Sequence, residues 1–394
     1  MTKLDIHKLN GEQKPTHRVV VASSTLVDTA AAIEEVLDAL EAEAAALTFV
    51  FFDRCYDAEI IARVLDRRTQ ERGIGGTTAG EISNAGFRTG SITAMSLHGE
   101  DVRASVEIVA QLRRLSLVPL VSLPHKLAEG IGRSLDELSA DRHMWISLID
   151  GLSGKEDLFV PFFVQAARRV PLIGGSLSDG EHFCQVFLVH HGRVYSDAAA
   201  VVLLEYPYGF QPIHHTHLVF SEHWLTVTRV SEGGRVIEML DGMPAHLAFA
   251  HAMGVSPHQV TTGLTGRYPL GYRFRGRPFP YSIMQTRDDG SFGMAHSVQV
   301  GERLNILMPQ DLTDQSARAI EEAIGQLEQQ TPGRQPQALL LFNCLGRYFE
   351  AKAQGMVGEL FEAIHQAPVC GFNTYGEQFT SMHMNHSLTG VVFG

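Results

Sequence analysis

A glycine-rich motif that occurs three times constrains this chain more than any other feature of its sequence. Each copy has a short apolar entry, one or two glycines, a small polar run and then Gly-Glu. The copies are Gly73-Ile-Gly-Gly-Thr-Thr-Ala-Gly-Glu-Ile82, Pro171-Leu-Ile-Gly-Gly-Ser-Leu-Ser-Asp-Gly-Glu-His-Phe183 and Pro368-Val-Cys-Gly-Phe-Asn-Thr-Tyr-Gly-Glu-Gln-Phe379. Such an internal repeat indicates that one folding unit is used several times.

The residues around each copy predict the order strand, helix, strand, glycine turn, strand. For the first copy, a short apolar run covers 47–53, an amphipathic run covers 58–70 and a second apolar run covers 91–97. Short apolar runs between turn residues are typical of buried strands, and longer amphipathic runs are typical of helices that cover a sheet. The sequence therefore predicts an α/β fold of mixed β-sheets flanked by helices. The glycines would shape turns or let the backbone approach a ligand or a neighbouring strand closely.

Composition changes suggest three segments. Residues 1–17 are polar, which predicts a flexible arm. The proline, glycine and aromatic residues of 206–212 indicate a domain boundary shortly afterwards, near residue 222. We therefore predict an N-terminal domain over 18–222 and a C-terminal domain over 223–394. Three local predictions follow: a hairpin between 91–97 and 102–106, a loop or edge strand over 117–124, and a solvated linker at the histidine cluster 214–217.

Charge and cysteine content exclude several classes of protein. The chain of 394 residues has a formal net charge of −12, which argues against nucleic-acid binding. No apolar run reaches the length of a membrane span, and the first residues lack the apolar region of a signal peptide. The four cysteines, without a Cys-x-x-Cys pair, indicate reduced thiols rather than a disulfide framework, zinc ribbon or c-type haem. We expect a cytoplasmic protein.

Catalytic patterns are weak. Cys344 follows a predicted strand, and several histidines could pair with it, but no third orienting residue or oxyanion motif accompanies them. The first glycine motif is followed by a strand rather than a helix and lacks the lysine of a P-loop, so neither a dinucleotide site nor a phosphate loop is indicated. We predict a protein that is not an enzyme.

Two pairs of motifs together resemble the FIST family of bacterial sensory domains over nearly the whole chain. The N-terminal pair is Gly75-Gly-Thr-Thr-Ala-Gly-Glu81 and Leu172-Ile-Gly-Gly-Ser176. The C-terminal pair is Leu340-Leu-Phe-Asn-Cys-Leu-Gly-Arg347 and Pro368-Val-Cys-Gly-Phe-Asn-Thr-Tyr-Gly-Glu377. The resemblance implies a sensor of small ligands. Because no output domain is recognisable, it also implies regulation of a separate histidine kinase or diguanylate cyclase, a cyclic-di-GMP enzyme. The sequence leaves a homodimer open.

The C-terminal run Met382-His-Met-Asn-His386 resembles the Met-His-x-Asn ending of stand-alone FIST proteins that bind b-type haem and respond to nitric oxide. That resemblance implies haem b as cofactor, nitric oxide as signal and His383 as the iron ligand. It also implies cofactor contacts from Asn373, Tyr375 and Asn385. His386 stands where a glutamine is expected and offers a second candidate ligand.

A haem-free binding module is the alternative. Thr77 and Thr78, the run 176–179 and the run 373–375 would then line clefts that hold an amino acid or a similar metabolite. Backbone amides and hydroxyls would bind the ligand's carboxylate, with no need for iron.

Overall fold

Three units of similar topology follow one another along the chain. The structure is a computed structural model, and it describes residues 17–167 and 169–394. The first unit contains β1 (His17–Ser24), α1 (Thr29–Ala39), β2 (Leu47–Asp53), α2 (Ala58–Thr69), β3 (Gly73–Thr78), β4 (Glu81–Ser83), β5 (Gly86–Arg88) and β6 (Ile92–Gly99). The second contains β7 (Arg103–Ala110), α3 (Val118–Gly130), β8 (His143–Asp150), α4 (Glu156–Ala167), β9 (Leu172–Leu177), β10 (Leu188–His190), β11 (Arg193–Tyr195) and β12 (Ala198–Glu205).

The third unit is interrupted by an inserted segment after its first strand. That strand is β13 (Phe210–His215). The insertion contains β14 (Leu218–Ser231), β15 (Val236–Leu240), β16 (Met243–Pro244), α5 (Ala245–Met253), α6 (Thr262–Arg267), β17 (Leu270–Phe274), β18 (Arg277–Tyr281), β19 (Ile283–Thr286), β20 (Phe292–Met294) and β21 (Arg303–Pro309). The unit resumes with α7 (Leu312–Gln330), β22 (Ala338–Cys344), α8 (Leu345–Ala353), α9 (Val357–Ile364), β23 (Val369–Thr374), β24 (Glu377–Phe379), β25 (Met382–Met384) and β26 (Leu388–Phe393).

Each unit builds a six-stranded sheet by borrowing a hairpin from another unit. The strand orders are β1-β6-β2-β3-β10-β11, β7-β12-β8-β9-β24-β25 and β13-β26-β22-β23-β4-β5. The first unit thus takes its hairpin from the second, the second from the third, and the third from the first. The insertion forms a separate eight-stranded sheet. The predicted class, mixed β-sheets flanked by helices, is confirmed.

One core lies between the three sheets, and the helices cover their outer faces. Phe51 of β2 and Phe342 of β22 both pack on Phe372 of β23, with ring centroids 4.6 and 5.4 Å away. Further apolar clusters join α1 and α2 to the first sheet, α3 and α4 to the second, and α7 to α9 to the third. Strands buried on both faces explain the nearly continuous apolar runs in the sequence.

Gly80 and Gly180 of the Gly-Glu pairs lie in turns with positive φ, as the sequence suggested, whereas the earlier glycines of each copy lie in strands. In each unit one of them stands opposite the middle of the parallel neighbour: Gly75 pairs with Val50, and Gly371 with Leu341. A Cβ on Gly75 would lie 1.8 Å from the carbonyl oxygen of Val50, and one on Gly371 would lie 2.1 Å from that of Leu341. Glycine is therefore needed for close approach of two strands, the other role that its small size permits.

Two local predictions were wrong. Residues 117–124 belong mostly to α3, and Pro119 sits in its first turn, where a missing N–H costs nothing. The expected hairpin between β6 and β7 does not form, because β6 pairs with β1 and β2 whereas β7 pairs with β12. The turn after β6 carries the chain into the next sheet, which neighbouring residues cannot reveal.

The predicted N-terminal arm and the predicted domain boundary are not tested by the described part of the chain. The arm over 1–17 lies outside the described residues except for His17. The boundary near residue 222 falls inside the continuous strand β14 and stays a prediction. Within residues 17–167 and 169–394, every helix falls short of the length or the apolar character that a membrane span requires.

Candidate ligand-binding site

The ends of the three glycine strands meet at one junction. The Ser178 amide donates to the carbonyl of Thr77 (3.1 Å), and the Ser178 hydroxyl donates to the carbonyl of Asn373 (3.0 Å). The Tyr375 amide donates to the carbonyl of Ser176 (3.3 Å). The three polar runs that the sequence proposed for ligand clefts therefore come together in one place.

A cavity of about 340 Å³ opens beside this junction. That volume lies within the range of small-molecule sites, roughly 300–1,000 Å³. Strand-end residues of the first and second units form one side, and α8 of the third unit forms the other. Among its lining residues are Asp53, Arg54, Thr78, Asp179, Tyr348 and Lys352. All three units thus contribute to a single cavity.

Two carboxylates are held in place at this cavity. Asp179 accepts a hydrogen bond from the Tyr375 hydroxyl (2.6 Å) and from the amides of Cys184 (2.8 Å) and Gln185 (2.9 Å). Burial raises the pKa of Asp179, but these hydrogen bonds outweigh it and hold the pKa below its usual range. Asp53 accepts from the amide of Gly90 (2.9 Å). Both acceptors are therefore fixed in orientation, with lone pairs to spare.

Two cations lie on the same cavity. The Lys352 ammonium is 4.0 Å from a Glu181 carboxylate oxygen, and its side chain is 61% exposed. The Arg54 side chain is exposed and has no hydrogen bond or ion pair with the described residues. Positive and negative groups thus border one space, next to the aromatic side chains of Tyr348 and Phe349.

His383, the residue that the sequence suggested as an iron ligand, lies in a different and closed place on β25. Its ring stacks on that of His296, with 4.8 Å between centroids, and its side chain is only 7% exposed. On Gly376 a Cβ would lie 2.2 Å from Cε1 of His383, so the backbone presses on the ring edge. Burial lowers the pKa of His383 to about 4. The imidazole is neutral at pH 7.

The other predicted site residues, Asn373, Tyr375 and Asn385, form hydrogen bonds that link neighbouring segments of the chain. The Asn373 amide oxygen accepts from Asn343 (2.9 Å), and Tyr375 positions Asp179 as described. Asn385 donates through Nδ2 to the carbonyl of Tyr375 (2.9 Å) and accepts from the amide of Ser282 in the insertion (3.3 Å). Asn373 and Tyr375 therefore meet at the junction, while Asn385 links it to the inserted sheet.

His386 and the histidine cluster are structural in this fold. The His386 ring lies beside Gly346 of α8, away from His383. The solvated linker predicted at 214–217 is wrong, because β13 includes His214 and His215 and the side chain of His217 is fully buried. Nε2 of His217 lies 2.8 Å from a carboxylate oxygen of Glu350, a partner 133 residues away that local sequence cannot indicate.

Comparison with known families identifies the class of protein. Residues 46–243 match the FIST N domain, and residues 245–380 match the FIST C domain. The chain therefore belongs to the FIST family, whose domains are associated with signalling sensors. These matches do not support assignment to the haem-binding, nitric-oxide-sensing subgroup.

Solved structures resemble the chain only distantly. A cyanuric acid hydrolase from A. caulinodans shares 9% identity, with 96% of this chain and 99% of that chain covered and a TM-score of 0.38. A chorismatase shares 10% identity, with 95% and 98% covered and a TM-score of 0.37. A comparison with curated proteins found no match.

Proposed function

We propose that this protein is a sensor that binds a small amino-acid-like metabolite in the junction cavity and passes its occupancy to a separate signalling partner. The observation that carries the proposal is that the ends of all three glycine strands converge on one cavity. Strand ends at which several units meet are common sites for ligands. The family match supports the sensory role.

The chemistry of the cavity wall favours a zwitterion. Arg54 and Lys352 suit a carboxylate, while Asp53 and Asp179 accept from an ammonium group. Thr78 also lines the cavity, and Tyr348 offers an apolar face. A molecule with both charges would satisfy the wall better than a simple anion, which would meet the two aspartates.

A connected set of hydrogen bonds runs from the cavity to the insertion. Tyr375 holds Asp179 through its hydroxyl and is itself held at its carbonyl by Asn385, which also binds Ser282. A ligand that favours one arrangement of this set would shift the protein between two states, as signalling requires. A histidine kinase or a diguanylate cyclase stays our prediction for the partner.

Haem at His383 fits this conformation poorly. The imidazole is covered by His296 on one face and by the backbone of Gly376 at its edge. Haem binding there would require the ring to leave this packing. Binding of haem and of nitric oxide stays a prediction of the sequence resemblance.

The ligand proposal is tested by thermal shift with the twenty amino acids, followed by calorimetric titration of those that raise the melting temperature. We expect Lys352→Gln and Arg54→Gln each to weaken binding by roughly 10- to 150-fold, because each removes a charge-assisted hydrogen bond of about 1.5–3 kcal/mol.

Lys126→Gln is a matched control. Its ammonium is 66% exposed and pairs with Glu107 at 2.7 Å, as Lys352 pairs with Glu181, but it lies outside the cavity. Equal affinity in all these variants, or no amino acid that binds, would overturn the proposed site.

Absorption spectra separate the two hypotheses. We expect the purified protein to be colourless and to take up no stoichiometric haem on reconstitution with haemin. A stoichiometric haem band that nitric oxide shifts and that His383→Ala abolishes would instead establish the haem sensor. A band abolished by His386→Ala alone would move the ligand to that residue.

A further inference from the structure

Three side chains from distant parts of the chain meet beside β25. Asp157 lies in the first turn of α4, His296 follows β20 of the insertion, and His383 lies on β25. One ligand atom from each lies within 4.8 Å of the others. Among the described residues, the fold brings these three side chains close enough together to share one metal ion.

Supporting residues orient two of these groups. Oδ2 of Asp157 accepts from the guanidinium of Arg235 (3.1 Å) and from the amide of Ser297 (3.1 Å), so Oδ1 is left to face His296. Nε2 of His296 lies 3.9 Å from that Oδ1 and 2.9 Å from the carbonyl oxygen of His383. Partners of this kind hold metal ligands in position in known sites.

One nitrogen of the cluster is unaccounted for. His296 is 3% exposed, yet its Nδ1 is buried and has no hydrogen-bond partner among the described residues. Buried polar atoms in native proteins are nearly always paired, so an unpaired one calls for an explanation. A missing ligand is one such explanation.

We propose that Asp157, His296 and His383 form a binding site for one divalent transition-metal ion. Two imidazole nitrogens and one carboxylate oxygen are a donor set that suits Zn²⁺, Fe²⁺ and Co²⁺. The ligand atoms must draw together from their present spacing to reach bond lengths of about 2.0–2.2 Å.

The ion would keep open positions and a route to solvent. Three protein ligands leave at least one position of a tetrahedral ion for water or a small molecule. The side chain of Asp157 is 26% exposed, whereas that of His296 is nearly closed off, so Asp157 marks the entry side. The bound ion would join α4, the exchanged hairpin β24–β25 and the inserted sheet.

The test uses Co²⁺ as the probe on the full chain after removal of metals with a chelator. We expect one equivalent of Co²⁺ to bind per chain, to give visible absorption bands and to raise the melting temperature. Asp157→Asn and His296→Gln should each weaken this binding by more than the roughly 10- to 100-fold that loss of a supporting residue costs. Arg235→Gln should fall within that smaller range.

His251→Gln, an exposed histidine of α5, is the control and should leave the Co²⁺ titration unchanged. X-ray absorption of the Co²⁺-loaded wild type counts its ligands directly, so the test survives a variant that fails to fold. Two imidazole nitrogens and at least one further oxygen would support the site. No stoichiometric Co²⁺ in the wild type, or binding unchanged in Asp157→Asn and His296→Gln, would reduce the cluster to a hydrogen-bonded ion-pair group and overturn the proposal.

Discussion

Glu81 and Glu377, the glutamates of the first and third Gly-Glu pairs, occupy matching buried positions. Glu81 lies between the hydroxyls of Thr78 (2.5 Å) and Ser91 (2.5 Å). Glu377 lies between the hydroxyls of Thr374 and Ser387, the latter at 2.6 Å. Burial raises the pKa of each to about 8, against the opposing effect of these hydrogen bonds. Both are therefore largely protonated at pH 7.

These carboxyls make stability depend on pH. Between pH 4.5, where the unfolded glutamate ionises, and about pH 8, the folded chain keeps protons that the unfolded chain releases. The free energy of unfolding should therefore fall as pH rises through this window, by up to about 1.4 kcal/mol per pH unit for each carboxyl. We expect Glu81→Gln, measured by urea unfolding at pH 5 and pH 8, to gain stability relative to wild type at the higher pH.

Glu59→Gln, on the exposed surface of α2, serves as control for a Glu→Gln change outside the core. A constant difference between Glu81→Gln and wild type at both pH values would mean that Glu81 is ionised in the fold. Glu377→Gln repeats the measurement in the other unit.

At the residue scale, the sequence located the repeated Gly-Glu residues but did not predict the structural role of each one. The Gly-Glu pair was visible in all three copies, but Glu181 of the second copy is exposed while the other two glutamates are buried. Asp157 and His296 had no local signal, because their meeting with His383 depends on contacts more than 80 residues apart in the chain.

At the scale of elements, the glycine strands show how a small residue sets the pairing of two strands. Gly75, Gly174 and Gly371 each stand at the matching place of a parallel pair. A side chain at Gly75 would displace the Val50 carbonyl and open the ladder between β2 and β3. The repeat in the sequence therefore reflects a repeated packing requirement.

We expect Gly75→Ala to lower the free energy of unfolding by about 1–3 kcal/mol or more, the cost of overpacking a core. Gly325→Ala in α7 should instead raise it by about 0.4–1 kcal/mol, because nothing lies within 4 Å of the added Cβ and alanine restricts the unfolded chain. Chemical denaturation of both variants measures the contrast. Similar stability of the two would show that β2 and β3 can separate without loss.

At the scale of the whole molecule, exchange of hairpins ties the units together. Hairpin β4–β5 of the first unit pairs with β23, and hairpin β24–β25 of the third pairs with β9. Strand β13 also pairs with the last strand, β26. Neither family match, over 46–243 or 245–380, contains all the strands of its sheets.

A fragment of residues 1–222 should therefore fail to fold by itself. It would leave β9 without its neighbour β24 and the hairpin β4–β5 without β23, and it would expose the side of the central core that Phe342 and Phe372 cover. Co-expression of 1–222 with 223–394 should restore a complex with one cooperative thermal transition. A cooperative melt of the isolated fragment, followed by circular dichroism, would show that the N-terminal part is independent.

The sequence was sufficient for the fold class, the repeated motif and the sensory family, because apolar periodicity and short motifs are local properties. It indicated the polar runs that meet at the junction, but not that all three units supply one cavity. Tertiary structure alone decided the hairpin exchange, the burial of His217, the place of His383 beside Asp157 and His296, and the role of the glycines in strands. Each of these depends on pairing between residues far apart in the chain, which no local pattern encodes.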